Sequence, residues 1–188
     1  MLTFFLLACQ PHTHLSWNLV NVQGHLPNLR FSMIDDLGNR LSEKVVANKV
    51  VILYFGFTHC PDVCPISLAK LVQVINRLGP LAQDVKIIFV TVDPQRDQPK
   101  ALHAYIKAFD ENSIIGLTGT VKEVEKIAKR YRVAFERSRA GKNGDYQVTH
   151  SSAIYFFDKQ GRARLIGTQK DEVAAIYNDL QQLLIKID

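Results

Sequence analysis

Val50 to Phe57 reads V-V-I-L-Y-F-G-F, a continuous apolar run rich in β-branched and aromatic side chains. A strand with one wet face alternates apolar and polar residues, so an unbroken run predicts a strand covered on both faces. Val85 to Val92 is a second run of the same kind. Between them, Leu68, Leu71, Val72, Ile75 and Leu78 fall at helical spacing in a stretch that opens at Pro65 and stops at Gly79-Pro80. Proline at the start and glycine at the stop are what a helix favours. Two buried strands joined by a helix form the unit of a parallel sheet.

The remaining pattern extends that unit. Pro99 to Phe109 is helical, Ile114 to Leu117 a short strand, and Thr120 to Tyr131 a helix opened by a Thr120/Glu123 capping box. Val133–Arg137 and Tyr146–Thr149 flank a turn containing Gly141, Asn143 and Gly144. Ser152–Phe157 and Arg162–Ile166 form a hairpin across Asp158-Lys159-Gln160-Gly161, and Lys170 to Ile185 is a closing helix. Ahead of the first buried strand, Leu29–Ile34 and Arg40–Ser42 form a hairpin around Asp35-Asp36-Leu37-Gly38-Asn39. The fold class is α/β, with a mixed central sheet, helices on both faces and an N-terminal β-hairpin.

Composition narrows the function. The chain has 188 residues, 47% apolar and 22% charged, which suits one globular domain with its own core. Three cysteines are too few for a disulfide scaffold. The net charge of +5 is spread along the chain, with no basic run, so nucleic acid is not expected as a partner. A basic face toward anionic lipid or an acidic partner stays open.

Residues 1–28 read as an anchor and tether, and residues 29–188 as the folded domain. Leu6-Leu7-Ala8-Cys9 resembles the lipobox of bacterial lipoproteins, although no basic residue precedes it. This sets the expectation of lipidation at Cys9. Gln10 to Asn28 has no clear period and would serve as the tether.

The chemistry concentrates in Cys60-Pro61-Asp62-Val63-Cys64-Pro65, where the first buried strand ends and its helix begins. Loops at the carboxyl ends of parallel strands are where such folds place their sites. The cysteine spacing near a helix start brings both sulfurs to one side. Free N–H groups and the helix dipole there favour a thiolate, so a depressed Cys64 pKa is expected. Two thiolates suit soft metals such as Cu(I), Zn(II) or iron–sulfur clusters. A Cys₄ or Cys₂His₂ zinc site would need a second close pair, which is absent. A third ligand could come from histidine. His59 adjoins Cys60 but should point away, His103 reads as a surface residue, and His150 at a strand end is a candidate. Asp93 to Asp97 closes the second buried strand beside the cysteine loop. The expected roles are structural, with Asp93 bonding the loop and Arg96 pairing with Asp97.

These motifs, in this order, resemble the Sco (SenC) family of copper proteins. The family's CPxxCP matches Cys60 to Pro65, its V-D-P-x-R-D matches Val92-Asp93-Pro94-Gln95-Arg96-Asp97, and its H-S matches His150-Ser151. The resemblance covers roughly Leu29 to Asp188. It implies a thioredoxin-like fold with a peroxiredoxin-like elaboration. It also implies one copper ion per chain, Cu(I) or Cu(II), held by Cys60, Cys64 and His150. The implied function is a metallochaperone that delivers copper to the CuA site of cytochrome c oxidase during assembly. The implied partners are the oxidase subunit carrying that site, another copper donor and a thiol–disulfide reductant. The chain departs from the family at Thr149, where an acidic residue is common, at Gln98, and in lacking a clear transmembrane anchor.

A second function fits the residues, and a third fits them only in part. A thiol–disulfide reductase would use Cys60 and Cys64 as a catalytic, redox-active pair that forms an intramolecular disulfide and keeps the acceptor's cysteines reduced. Such an enzyme has no need of His150. A peroxiredoxin-like peroxidase would use Thr58 but not Cys64. Copper donation outside the cytoplasm, together with the lipobox-like start, predicts a lipid-anchored protein at the outer face of the bacterial plasma membrane, in the periplasm.

Overall fold

A computed structural model describes residues 16–141 and 145–185. The lipobox-like segment with Cys9, His12 and His14 therefore lies outside the described residues, as do Asn143 and Gly144 of the expected turn.

Ten strands and four α-helices follow in order β1 (Val20–Asn21), β2 (Ser32–Asp35), β3 (Arg40–Ser42), β4 (Val50–Gly56), α1 (Val63–Arg77), β5 (Val85–Thr91), α2 (Pro99–Lys107), β6 (Ile114–Thr118), α3 (Val121–Arg130), β7 (Phe135–Arg137), β8 (Val148–His150), β9 (Ile154–Phe157), β10 (Ala163–Gly167) and α4 (Val173–Ile185). Eight strands make one sheet in the order β1-β10-β9-β4-β5-β6-β2-β3. The β4–β5 and β5–β6 pairs are parallel and the other pairs antiparallel, so the sheet is mixed, as expected. β7 and β8 form a separate antiparallel pair.

The continuous apolar runs become the centre of the sheet. Every residue of β4 is buried, and β5 is buried except at Lys86. Side chains alternate between faces along a strand. Tyr54 meets Phe89 on one face, which α1 and α2 cover. Phe55 packs with Tyr131 and Tyr155 on the other face, where α3 ends. Burying each such side chain is worth about 1.5–3 kcal/mol, so both covered faces stabilise the site-bearing end of β4. The capping box at Thr120 and Glu123 is formed as the sequence predicts.

The β2–β3 turn shows why its residues are what they are. The Asp35 carboxylate accepts hydrogen bonds from the backbone N–H groups of Leu37 and Asn39 at 3.0 and 2.6 Å. Gly38 sits at φ 89°, where a side chain is strained.

Part of the segment read as a tether lies on the domain. β1 pairs with β10 along the sheet edge. The Asp179 carboxylate of α4, fully buried, accepts the Leu19 N–H at 2.8 Å and both the backbone and side-chain N–H groups of Asn18. Periodicity did not reveal this because two residues of strand are too short to show any. Asp179→Ala should lose about 1–3 kcal/mol in urea denaturation, the usual effect of stranding buried donors. Chymotrypsin should also cut near Trp17 sooner than in the parent. Unchanged stability and cleavage would contradict this clamp.

Candidate metal centre

Three elements bring the centre together. β4 ends at Gly56, and the chain turns through Thr58 to Cys60 before entering α1 at Val63, with Cys64 as the second residue of the helix. The Cys60 N–H donates to the Phe57 carbonyl at 3.2 Å, closing the turn. The Cys64 N–H points at the Cys60 sulfur at 3.4 Å. From across the sheet end, β8 delivers His150, whose Nε2 lies 3.3 Å from Cys64 Sγ. The Cys60, Cys64 and His150 ligand atoms all lie within 4.8 Å of one another, close enough to hold one metal ion. The described residues contain no other such group.

The histidine tautomer follows from its neighbour. Nδ1 lies 2.8 Å from the Ser151 carbonyl, which can only accept, so Nδ1 carries the proton and Nε2 keeps its lone pair. This backbone bond performs the orienting role that an acidic residue at position 149 would otherwise offer. The ring stands edge-on to Phe57 and Tyr54, with centroids at 5.8 and 6.4 Å. Burial lowers the His150 pKa and keeps the imidazole neutral, against a weaker opposing effect of the Ser151 bond.

The two thiols differ. Cys60 is partly exposed, whereas Cys64 is fully buried. Burial pushes the Cys64 thiol up to about 12, with the hydrogen bond to Cys60 adding to the shift. The expected depression is therefore corrected: loss of hydration outweighs the helix-end dipole at this sulfur. A bound cation reverses that balance, since a coordinated thiol is deprotonated by the metal.

Gly56 makes room for Cys64. A Cβ built on it would lie 2.9 Å from Cys64 Sγ and 2.6 Å from the Phe89 ring. The signal was visible as a glycine closing an otherwise bulky apolar strand.

Both ligand-bearing segments hang on the turn from Asp93 to Asp97. Asp97, fully buried, accepts the Thr58 N–H at 2.9 Å, the Thr58 hydroxyl at 2.6 Å and the Thr91 hydroxyl at 2.6 Å. Asp93, also fully buried, accepts the Tyr146 hydroxyl at 2.6 Å, pairs with Arg96, and lies 3.6 Å from Arg137. Arg96 lies over the Tyr146 ring at 4.0 Å. Arg96 thus pairs with Asp93 and not with Asp97, and Asp97 rather than Asp93 holds the cysteine loop. The sequence reading missed Tyr146 and Arg137, because only the hairpin pairing of β7 with β8 carries them to Asp93. The other two candidate histidines stay outside the group. His59 is 58% exposed and faces Thr58, while His103 pairs with Asp36 at 2.7 Å.

Residues 23–185 match the SCO1/SenC family model. This chain belongs to the SCO1/SenC family. It is 41% identical over 131 residues to the SCO1 homolog 1 of Arabidopsis thaliana, covering 69% of this chain and 39% of that protein. It is 36% identical over 133 residues to the human SCO1 homolog, covering 70% and 44%. The match thus spans less than half the length of these relatives. Among solved structures, copper-bound ScoI of Bradyrhizobium japonicum superposes with a TM-score of 0.76 at 34% identity, covering 84% of this chain and 99% of that one. The fold is the thioredoxin-like fold of the Sco structures, as the motifs implied. One expectation is corrected. The Arabidopsis and human proteins are mitochondrial by name, which overturns the expected outer face of a bacterial plasma membrane. No described helix is long and apolar enough to cross a membrane.

Asp97→Ala should lower stability by about 2–4 kcal/mol, since it strands two hydroxyls and an N–H beside the cysteine loop. Calorimetry checks it, and a loss under half a kilocalorie would count against the anchoring role. Gly56→Ala should cost about 1–3 kcal/mol through overpacking and should weaken metal binding, because the displaced neighbour is Cys64 or the ring beside it.

Proposed function

We propose that this protein binds a single copper ion through Cys60, Cys64 and His150 and delivers it to the CuA site of cytochrome c oxidase during assembly of the enzyme. The observation that carries the reading is the convergence of two sulfurs and an imidazole nitrogen within 4.8 Å at the end of β4. Two soft thiolates suit Cu(I), and an imidazole lets the same set hold Cu(II). Copper is the cargo, and the copper-bound Bradyrhizobium neighbour supports that choice over zinc. The partly exposed Cys60 gives an acceptor's ligands a sulfur to approach, while buried Cys64 retains the ion until they arrive. The proposed partners are the oxidase subunit carrying CuA, a copper donor that fills the site, and a reductant that keeps both thiols available. The copper reading is preferred to a reductase because the ligand atoms of Cys60, Cys64 and His150 all converge within reach of one ion, a set that dithiol exchange does not require, and a raised Cys64 pKa hinders that exchange.

Anaerobic titration of the reduced chain should give one copper per chain, with thiolate-to-Cu(II) charge-transfer absorbance. Cys60→Ala or Cys64→Ala should abolish tight binding of both oxidation states. His150→Ala should weaken Cu(II) far more than Cu(I), because two thiolates alone can hold Cu(I) linearly. Parent-like Cu(II) binding by His150→Ala would remove the histidine from the ligand set. Delivery is tested by mixing the loaded chain with the reduced apo CuA domain and following the CuA spectrum; no transfer would reject the delivery step.

A further inference from the structure

Away from the metal centre, a groove of about 720 Å³ lies between α3 and the β2–β3 hairpin. Its floor is Phe31, Met33 and Ile127, each almost wholly buried. Its walls carry Arg30, Arg40, Lys126, Lys129 and Arg130 against one acid, Glu123. That acid is already engaged. Its carboxylate accepts the Thr120 N–H at 2.7 Å and hydroxyl at 2.9 Å, capping α3, and pairs with Arg40 at 2.9 Å. Among the described residues, Arg30, Lys126, Lys129 and Arg130 have no carboxylate within ion-pair distance. The Arg130 guanidinium gives one N–H to the Asn28 carbonyl at 2.8 Å, while its Nε is buried with no partner.

Four cations around one concavity repel each other, and an anion there relieves the repulsion. The guanidinium groups of Arg30 and Arg130 present paired donors that match a carboxylate. The volume lies within the roughly 300–1,000 Å³ that takes a compact ligand, the bulk of a few peptide residues. A bilayer offers its phosphates on a broad plane, which meets ridges rather than the inside of a groove. A second copy of this chain is a poor occupant, because the chain carries +5. We propose that this groove docks an acidic segment of a partner protein, whose carboxylates pair with Arg30, Lys126, Lys129 and Arg130. The groove shares no residue with Cys60, Cys64 or His150, so a partner can be held here while the metal centre stays open to it. The inference stands whether or not copper is delivered to CuA.

The test is fluorescence anisotropy of a short labelled peptide rich in glutamate and glycine, titrated with the full chain at low salt. Lys126→Glu/Lys129→Glu should weaken binding by about tenfold or more, since rim charges govern such encounters. Arg30→Glu should weaken it independently. Lys100→Glu/Lys107→Glu on α2 changes the net charge equally and should leave binding near the parent value. Copper stoichiometry should be unchanged in the groove variants, showing that they fold. Equal weakening by the α2 control would reduce the effect to net charge and overturn the proposal. So would failure of the parent to bind the peptide, or capture of phosphatidylglycerol vesicles by the parent, lost in the groove variants, without peptide binding.

Discussion

Two buried carboxylates four positions apart in one turn hold the two halves of the candidate metal centre. A carboxylate out of water is tolerable only when its oxygens are paired or hydrogen-bonded. Asp97 meets that need with donors from Thr58 and Thr91, and Asp93 with Arg96, Tyr146 and, more distantly, Arg137. The partners of the first lie in the cysteine loop and on β5. Those of the second lie in the turn itself, on β7 and just ahead of β8, the strand that bears His150. Moving either ligand segment would leave a charge stranded in the core, so electrostatics enforces the ligand spacing that backbone stiffness alone would not. The turn itself is fixed by the Val92 N–H donating to the Gly56 carbonyl at 2.8 Å, which ties it to the end of β4.

The sulfurs then divide the work by environment. Cys64 is dry, protonated in the absence of a cation, and set against a neutral imidazole whose lone pair faces it. Cys60 is wet enough to be reached. Burial that disfavours a bare thiolate does not disfavour a metal thiolate, because the cation's charge replaces the lost hydration. The apolar wall of Phe57 and Tyr54 therefore favours occupancy by a soft cation over simple loss of a proton.

Much of this was legible in the sequence. Unbroken apolar runs announced β4 and β5, and the Pro65–Leu78 period announced α1, because burial on two faces and on one helical stripe leave distinct repeats. The grouping of Cys60, Cys64 and His150 was legible through their motifs. Three features were not. The Cys64 pKa depends on how deeply the helix start is buried, and local rules see the dipole but not the depth. The exchange of partners between Asp93 and Asp97 depends on Tyr146 and Arg137, which arrive from some 40 to 50 residues downstream. The attachment of residues 18–21 depends on Asp179, more than 150 residues away, and on a strand too short to leave a pattern.

The 86-position separation of Cys64 and His150 has a consequence for how the protein matures. A nascent chain that has completed β4 and α1 already displays its dithiol, but the imidazole joins it only after α3 is laid down and β8 has paired with β7. Contacts of such sequence separation form late, since loop closure opposes them. Until then the two thiols stand without the imidazole, open to oxidation. The arrival of the imidazole beside the two sulfurs therefore marks a polypeptide that has reached its native topology.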